Sequence, residues 1–386
     1  MVPTSLYRRV ARSKFSLALP LGAALALEPT TLTAQPLRFT IQAIPTFGGT
    51  SSFARGISST GLATGNAQTA IGTPAPRLNA YLWDGATLAN VGTLPGSNNF
   101  SRGYGVNSSG VVVGESDNNS SRAFRWENGT LTKLATLGGA SAVAHGINDA
   151  GTIVGIASNG TTSRATIWEN LAPRDLGAAD GSTATFARAW GLNQRGDVVG
   201  FSRSGAGISQ ATVWFDAGAA QSLGSLGDGT RFSEAFAINE ARLVVGRSNT
   251  GALTSRGTSI FEAFLWQSSS MMGLGSLGFT FSQANGINDL GWIVGNATNI
   301  SGLPSTAVLW QNGTGVNLNS LVDGGAGWTL QSAEAINDRG QIVGYGTLNG
   351  QTRGFVLTAV PEPATVVLVA GGLALLGAAA RRRRHA

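Results

Sequence analysis

Gly146-Ile147-Asn148-Asp149-Ala150-Gly151-Thr152-Ile153-Val154-Gly155 decides the fold, because versions of it return along most of the chain. The copies begin at Gly56, Gly105, Gly146, Gly191, Ala237, Gly286 and Ala335, the first being degenerate (GISSTGLATG). On the Asn column (Ser58, Asn107, Asn148, Asn193, Asn239, Asn288, Asn337) the steps are 49, 41, 45, 46, 49 and 49 residues. Spacing of this kind marks a repeat array. Each copy reads as a hairpin, since an Asn-Asp-x-Gly turn joins a short apolar segment to a Val/Ile-rich one. Asn and Asp are expected to hold the turn by bonding their own backbone, and Gly accepts positive φ. A metal loop is the rival reading of Asp149, Asp289 and Asp338. It needs several oxygen ligands close in sequence, whereas each turn has one carboxylate, replaced elsewhere by Ser108, Gln194 and Glu240. These aspartates are read as turn makers, with no metal and no cofactor implied.

A second column ends a strand in tryptophan, as in Asn79 to Gly85 (NAYLWDG) and Arg122 to Gly129 (RAFRWENG). Its members are Trp83, Trp126, Trp168, Trp214, Trp266 and Trp310, six of the nine tryptophans, and Arg353 to Leu357 is a seventh copy without one. One Trp per repeat at a constant place suits packing between neighbouring sheets better than a ligand cage, sugar stacking being the alternative. The third feature is a short strand closing on Leu-Gly, such as Leu134 to Gly139. About four strands in some 46 residues make a propeller blade. The expected fold is therefore all-β, a seven-bladed β-propeller over residues 37–358. The ends of the array complement each other: Phe39 to Gly49 aligns with a fourth strand, and the last copy stops after its third. The N-terminal strand is thus expected to complete the last blade, which hides both sheet edges.

Composition agrees with a turn-rich β protein: 55 glycines in 386 residues and 12% charged residues. The net charge of +6 sits in the tails. Residues 35 to 360 hold 17 Arg and one Lys against 18 acids, so the body is neutral and shows no nucleic-acid footprint. Cysteine is absent, which removes disulfides, thiolate metal sites and cysteine nucleophiles. The body has one histidine, His145. Its column otherwise holds Arg55, Tyr104, Trp190, Phe236, Asn285 and Glu334, so the position tolerates any chemistry. His145 is expected to be a surface or turn residue without a catalytic part.

Residues 1–34 combine Arg8, Arg9, Arg12 and Lys14 with an apolar run from Phe15 to Leu27. That is a secretory signal helix, which implies the Sec translocon and signal peptidase as partners. The run is too short for a span of roughly 20 residues. Beyond residue 360, Pro361-Glu362-Pro363 precedes a 17-residue apolar run, Ala364 to Ala380, and then Arg381, Arg382, Arg383 and Arg384. At about 1.5 Å per residue the run is ~25 Å long, a short transmembrane helix with a cytoplasmic basic end.

The Pro-Glu-Pro motif, apolar run and arginine cluster of residues 360–386 resemble the PEP-CTERM sorting signal of Gram-negative bacteria. The resemblance implies export, transient membrane anchoring over 364–380, processing by an exosortase-type membrane protease, and delivery to the surface or matrix. Such systems accompany exopolysaccharide and biofilm formation. The array, with its Leu-Gly-Gly, Gly-Ile-Asn-Asp-x-Gly-x-Ile-Val-Gly and Ala-Phe-x-Trp columns, resembles the extracellular HAF repeat family. Here the name-giving His is replaced by Asn79, Arg122, Arg164, Gln210, Glu262, Thr306 and Arg353. No catalytic residue transfers from that family. The expected function is a non-enzymatic surface or matrix protein whose propeller presents Gly-, Ser-, Thr- and Asn-rich loops to polysaccharide or protein. A propeller glycosidase or lyase is the alternative. It would require two carboxylates about 5 to 10 Å apart or an arginine cluster with a nucleophilic Tyr, and the body offers only Tyr81, Tyr104 and Tyr345.

Overall fold

Each hairpin supplies the first two strands of an antiparallel sheet, and the Trp strand supplies the third. In the repeat around Asn148 the strands are Ala142–Ile147, Ile153–Ser158, Ser163–Glu169 and Ala172–Asp175, bonded in that order. The computed structural model describes residues 37–70, 77–96, 100–117, 120–182, 185–203, 207–227, 231–299 and 305–360. All fall in one compact unit, Pro36–Pro361. The signal segment, the membrane helix 364–380 and the sorting residues from Pro361 to Arg384 lie outside the described residues. Among the described residues the strands form four four-stranded sheets, one eight-stranded and one five-stranded sheet. The eight-stranded sheet is two four-stranded units, Ser233–Ile238 to Ser270–Gly273 and Phe281–Ile287 to Thr314–Asn317, joined through one parallel pair, Phe261 with Phe281.

The five-stranded sheet closes the structure. Trp328–Ile336, Ile342–Leu348 and Gln351–Ala359 are followed by Phe39–Ala43, which runs antiparallel with Phe39 opposite Ala359 and Ala43 opposite Phe355. Two-residue Val322–Asp323 covers its outer edge in parallel. The N-terminal strand therefore completes the last sheet, and the fold is a β-propeller.

The core is divided into clusters between successive sheets. Trp168 packs with Val113 and Ala123 of the preceding sheet and with Leu134 just beyond its last strand, and Trp214 packs with Val154, Ala165 and Ile167. Trp83 meets Val343 and Val356 of the last sheet, so the series of interfaces runs back to its start. Trp126, Trp266 and Trp310 occupy the corresponding clusters. The Trp168 Nε1–H donates to the Ala135 carbonyl at 2.8 Å. The fourth strand lies earlier than the Leu-Gly segments suggest. Around Leu134 it is Thr130–Lys133, and Leu134 begins the connection, buried with its N–H donating to the Ala123 carbonyl. The buried leucine of this segment thus anchors the connection between sheets, packed in the same cluster as Trp168.

The turn asparagines form a ladder around the axis. Asn148 Oδ1 accepts the Thr152 N–H of its own turn at 3.0 Å, and its Nδ2 donates to the Asn193 carbonyl of the next repeat at 3.3 Å. The same pair of bonds recurs at Asn107, Asn193, Asn239, Asn288 and Asn337, the last donating to the Ser58 carbonyl at 2.9 Å. The aspartates correct their expected role. Asp149 accepts the Ser108 N–H of the preceding repeat, and the N–H of Asp149, Gln194, Glu240 and Asp289 each bonds the side chain one repeat on. Each of these side chains takes up the N–H of the preceding turn and so bridges two repeats.

One repeat departs from the turn pattern. Arg242 stands where the others have Gly and adopts φ 61°. Its guanidinium binds the buried Asp197 carboxylate at 2.8 and 2.9 Å, across to the previous sheet. Burial opposes the charge on Asp197. Bonds from Arg242, Asn193 and the Asp216 N–H outweigh it and hold the carboxyl below its ordinary range.

Ser58 is too short to reach the Asn107 carbonyl; its hydroxyl accepts the Leu62 N–H and pairs with Thr60. Ser58→Asn should therefore complete the ladder and raise stability by about 0.5–1.5 kcal/mol. Denaturant titration checks this, and a variant less stable than the parent contradicts the ladder's energetic role.

Candidate axial binding site

Every inner hairpin carries a register shift at the same place. The pairing skips one residue between Ala54 and Gly56, Gly103 and Gly105, Ala144 and Gly146, Ala189 and Gly191, Ala235 and Ala237, Ala284 and Gly286, and Ala333 and Ala335. The skipped residues are Arg55, Tyr104, His145, Trp190, Phe236, Asn285 and Glu334. A bulge leaves its residue unpaired and re-aims the side chain. All of them line a single axial cavity of about 420 Å³, within the ~300–1,000 Å³ range of small-molecule sites. The last Gly of each hairpin lies across from the bulge. A Cβ on Gly155 or Gly200 would overlap the Val143 or Arg188 carbonyl, which explains why the motif ends in Gly.

His145 is accordingly no surface or turn residue. Burial and the nearby Arg188 hold its pKa well below the usual imidazole range, so the ring is neutral. Its ring centroid lies 5.2 Å from Tyr104 and 4.3 Å from Trp190, and Trp190 lies 5.8 Å from Phe236. Arg55 sits over Tyr104 at 5.6 Å and Arg188 over Trp190 at 4.7 Å. One side of the mouth is thus a continuous aromatic arc. The other side is polar. Asn285 donates to the Ala333 carbonyl and accepts from Gln283, and Glu334 accepts the Ser332 hydroxyl at 2.6 Å.

The carboxylates around the mouth are unequally engaged. Glu115 accepts from Arg102 at 3.1 Å and from the Tyr104 hydroxyl at 2.8 Å; burial, then this neighbour, pushes the Tyr104 pKa up to about 12. Glu234 is bound by Arg247 at 2.7 Å. Glu334 has no arginine within ion-pair distance among the described residues, and burial raises its pKa against the opposing influence of Ser332 and Arg55. Such a group can donate a hydrogen bond as well as accept one.

On the far side of an apolar girdle that includes Ile57, Val106, Ile147 and Leu192 lies a second cavity of about 220 Å³, walled by the turn asparagines and Asp149, Glu240, Asp289 and Asp338. Each of these carboxylates accepts a backbone N–H, and the turn asparagines bond from one repeat to the next. Among the described residues no cluster of His, Asp or Glu could hold a metal ion. The Trp column is buried between sheets, away from the mouth. Sequence reasoning passed over the residues that do line it. The available signal was one freely varying position inside an otherwise regular repeat.

The family model of the PEP-CTERM protein-sorting motif matches residues 359–384. The chain carries a PEP-CTERM sorting motif. The match contains Pro361, Glu362, Pro363 and Arg381 to Arg384. A PEP-CTERM motif implies processing by exosortase, a membrane protein, and export to the cell surface or extracellular space. No curated protein sequence matches the chain. Among solved structures it is similar to the β-propeller domain of the trilobed protease from Pyrococcus furiosus, at TM-score 0.48 and 8% identity over 83% of this chain and 95% of that one. It is similar to a gluconolactonase from Xanthomonas campestris at TM-score 0.37 and 10% identity (86% and 99% covered). A third is YCF48 bound to D1 peptide, at TM-score 0.42 and 13% identity (84% and 97% covered). Likenesses this distant say nothing of activity or ligand.

Because the folded state raises the Glu334 pKa, its favourable contribution is complete below the unfolded carboxyl pKa and is lost as pH rises through the folded value. Glu334→Gln should therefore be more stable than the parent at neutral pH, with the gap closing toward about pH 4. Thermal midpoints across that range check it. A neutral-pH midpoint at or below the parent's contradicts the raised pKa.

Proposed function

We propose that this chain is a seven-bladed HAF-repeat propeller, exported and released at its PEP-CTERM motif, that binds extracellular polysaccharide at the axial mouth without transforming it. The observation carrying this reading is the bulged column, which sets an aromatic arc (Tyr104, His145, Trp190, Phe236) against a polar arc (Asn285, Glu334, Arg55). Sugars present exactly such a pair of surfaces in the general sense: apolar C–H faces that stack on rings, and hydroxyl edges that need hydrogen bonds. The rigid framework supports the same reading, because bulges on paired strands hold side chains more firmly than loops do.

The glycosidase or lyase reading is disfavoured by the same geometry. Glu334 is the carboxyl that lines the cavity, and Glu115 and Glu234 on neighbouring strands are tied to arginines, which leaves Glu334 without a second free carboxylate beside it among the described residues. The sorting motif adds where binding takes place. A protein held briefly by a short apolar helix and then cut free would reach the polysaccharide outside the cell. Two measurements on protein recovered from the cell surface test the proposal. Mass spectrometry should find a C-terminus near Pro361 to Pro363, and the same material should bind the producer's exopolysaccharide without shortening it. Recovery of Arg384 in the surface form, or depolymerisation of the polysaccharide, overturns the respective half.

A further inference from the structure

We propose that the axial mouth selects an acidic sugar, a hexuronate residue, whose carboxylate sits on Arg55 and whose ring lies over the Tyr104–His145–Trp190 arc; this rests on the polysaccharide reading above. Arg102 is matched by Glu115 and Arg247 by Glu234 in cross-strand pairs. Arg55 and Arg188 remain. Arg55 lines the cavity, and its one hydrogen bond among the described residues runs from Nε to Asn66 Oδ1 at 3.3 Å, so both terminal nitrogens are free to donate. Arg188 faces Phe201 across the strand pair instead of an acid. It stacks on Trp190, and its buried Nε finds no acceptor.

The contrast with Arg164 shows how this chain treats a buried guanidinium that serves the fold. Arg164 is bonded to Asp175 and to the Thr185 and Ser182 carbonyls. The mouth arginines lack that provision. Glu334, which shares the cavity wall with Arg55, forms no ion pair with it among the described residues, and burial disfavours its charged form. A guanidinium fork accommodates a planar carboxylate in two parallel hydrogen bonds. A ring stacked on the neighbouring arc would bring such a carboxylate to Arg55, which already lies over Tyr104 at 5.6 Å. Glu334, on the same cavity wall, is left to bond a hydroxyl of the same residue.

Isothermal titration of the exported, processed protein with oligogalacturonate, with the neutral oligogalactoside of equal length and with polyglutamate tests the assignment. The uronate should bind about tenfold tighter or more, as hydrogen bonds to a charged group supply. The preference should shrink as salt rises and vanish in Arg55→Gln. The wild-type comparison stands alone if that variant does not fold. Equal affinity for the two oligosaccharides overturns the hexuronate assignment and leaves the polysaccharide reading intact. Binding of polyglutamate with neither oligosaccharide bound overturns both, as does binding of none of the three.

Discussion

The ring depends on one side chain doing two jobs. Each turn asparagine closes its own hairpin with Oδ1 and holds the next hairpin with Nδ2, so local turn geometry and the spacing of neighbouring sheets are fixed by the same planar amide. Because these amides are buried, a lost partner costs the desolvation of the group left behind, about 1–3 kcal/mol, rather than the smaller net value of a hydrogen bond. That penalty ties the inner strands to a constant radius. At that radius the bulges three residues upstream all point into one cavity, and a position free of structural duty becomes a binding position.

Closure adds a second constraint. The strand that seals the last sheet, Phe39–Ala43, comes from the start of the body and pairs with its final strand, and the Val360 N–H still donates to the Arg38 carbonyl. Contacts this distant in sequence form late, since loop closure must be completed before they contribute. The sorting motif begins at the residue where this pairing ends. Closure of the ring and the start of the sorting motif therefore meet at the end of Gln351–Ala359, and an unclosed ring would leave the edge of that strand open to another chain.

Much of this architecture was legible in the residues. The repeat period, the hairpins and the complementary ends are written in side-chain types whose physics is local: Asn and Gly for turns, Val and Ile for strands, Trp for large buried area. The mouth was not legible in that way. His145, set among Arg55, Tyr104 and Trp190, looks like drift, because a bulge is a property of pairing between two strands and leaves no residue signature of its own beyond the Gly that faces it. Asp149 was misread for a related reason. Whether a carboxylate bonds its own turn or the neighbouring one depends on where the neighbour lies, and that distance follows from closure of the whole ring.

Trp168 is buried between sheets whereas Trp190 lines the axial cavity, and a paired substitution measures the difference directly. Trp168→Ala should lower stability by about 3–5 kcal/mol, while Trp190→Ala should leave the thermal midpoint nearly unchanged and abolish binding to the exopolysaccharide. If Trp190→Ala binds as the parent does, or if Trp168→Ala loses binding at full stability, the division between constant columns that build and a variable column that binds is wrong.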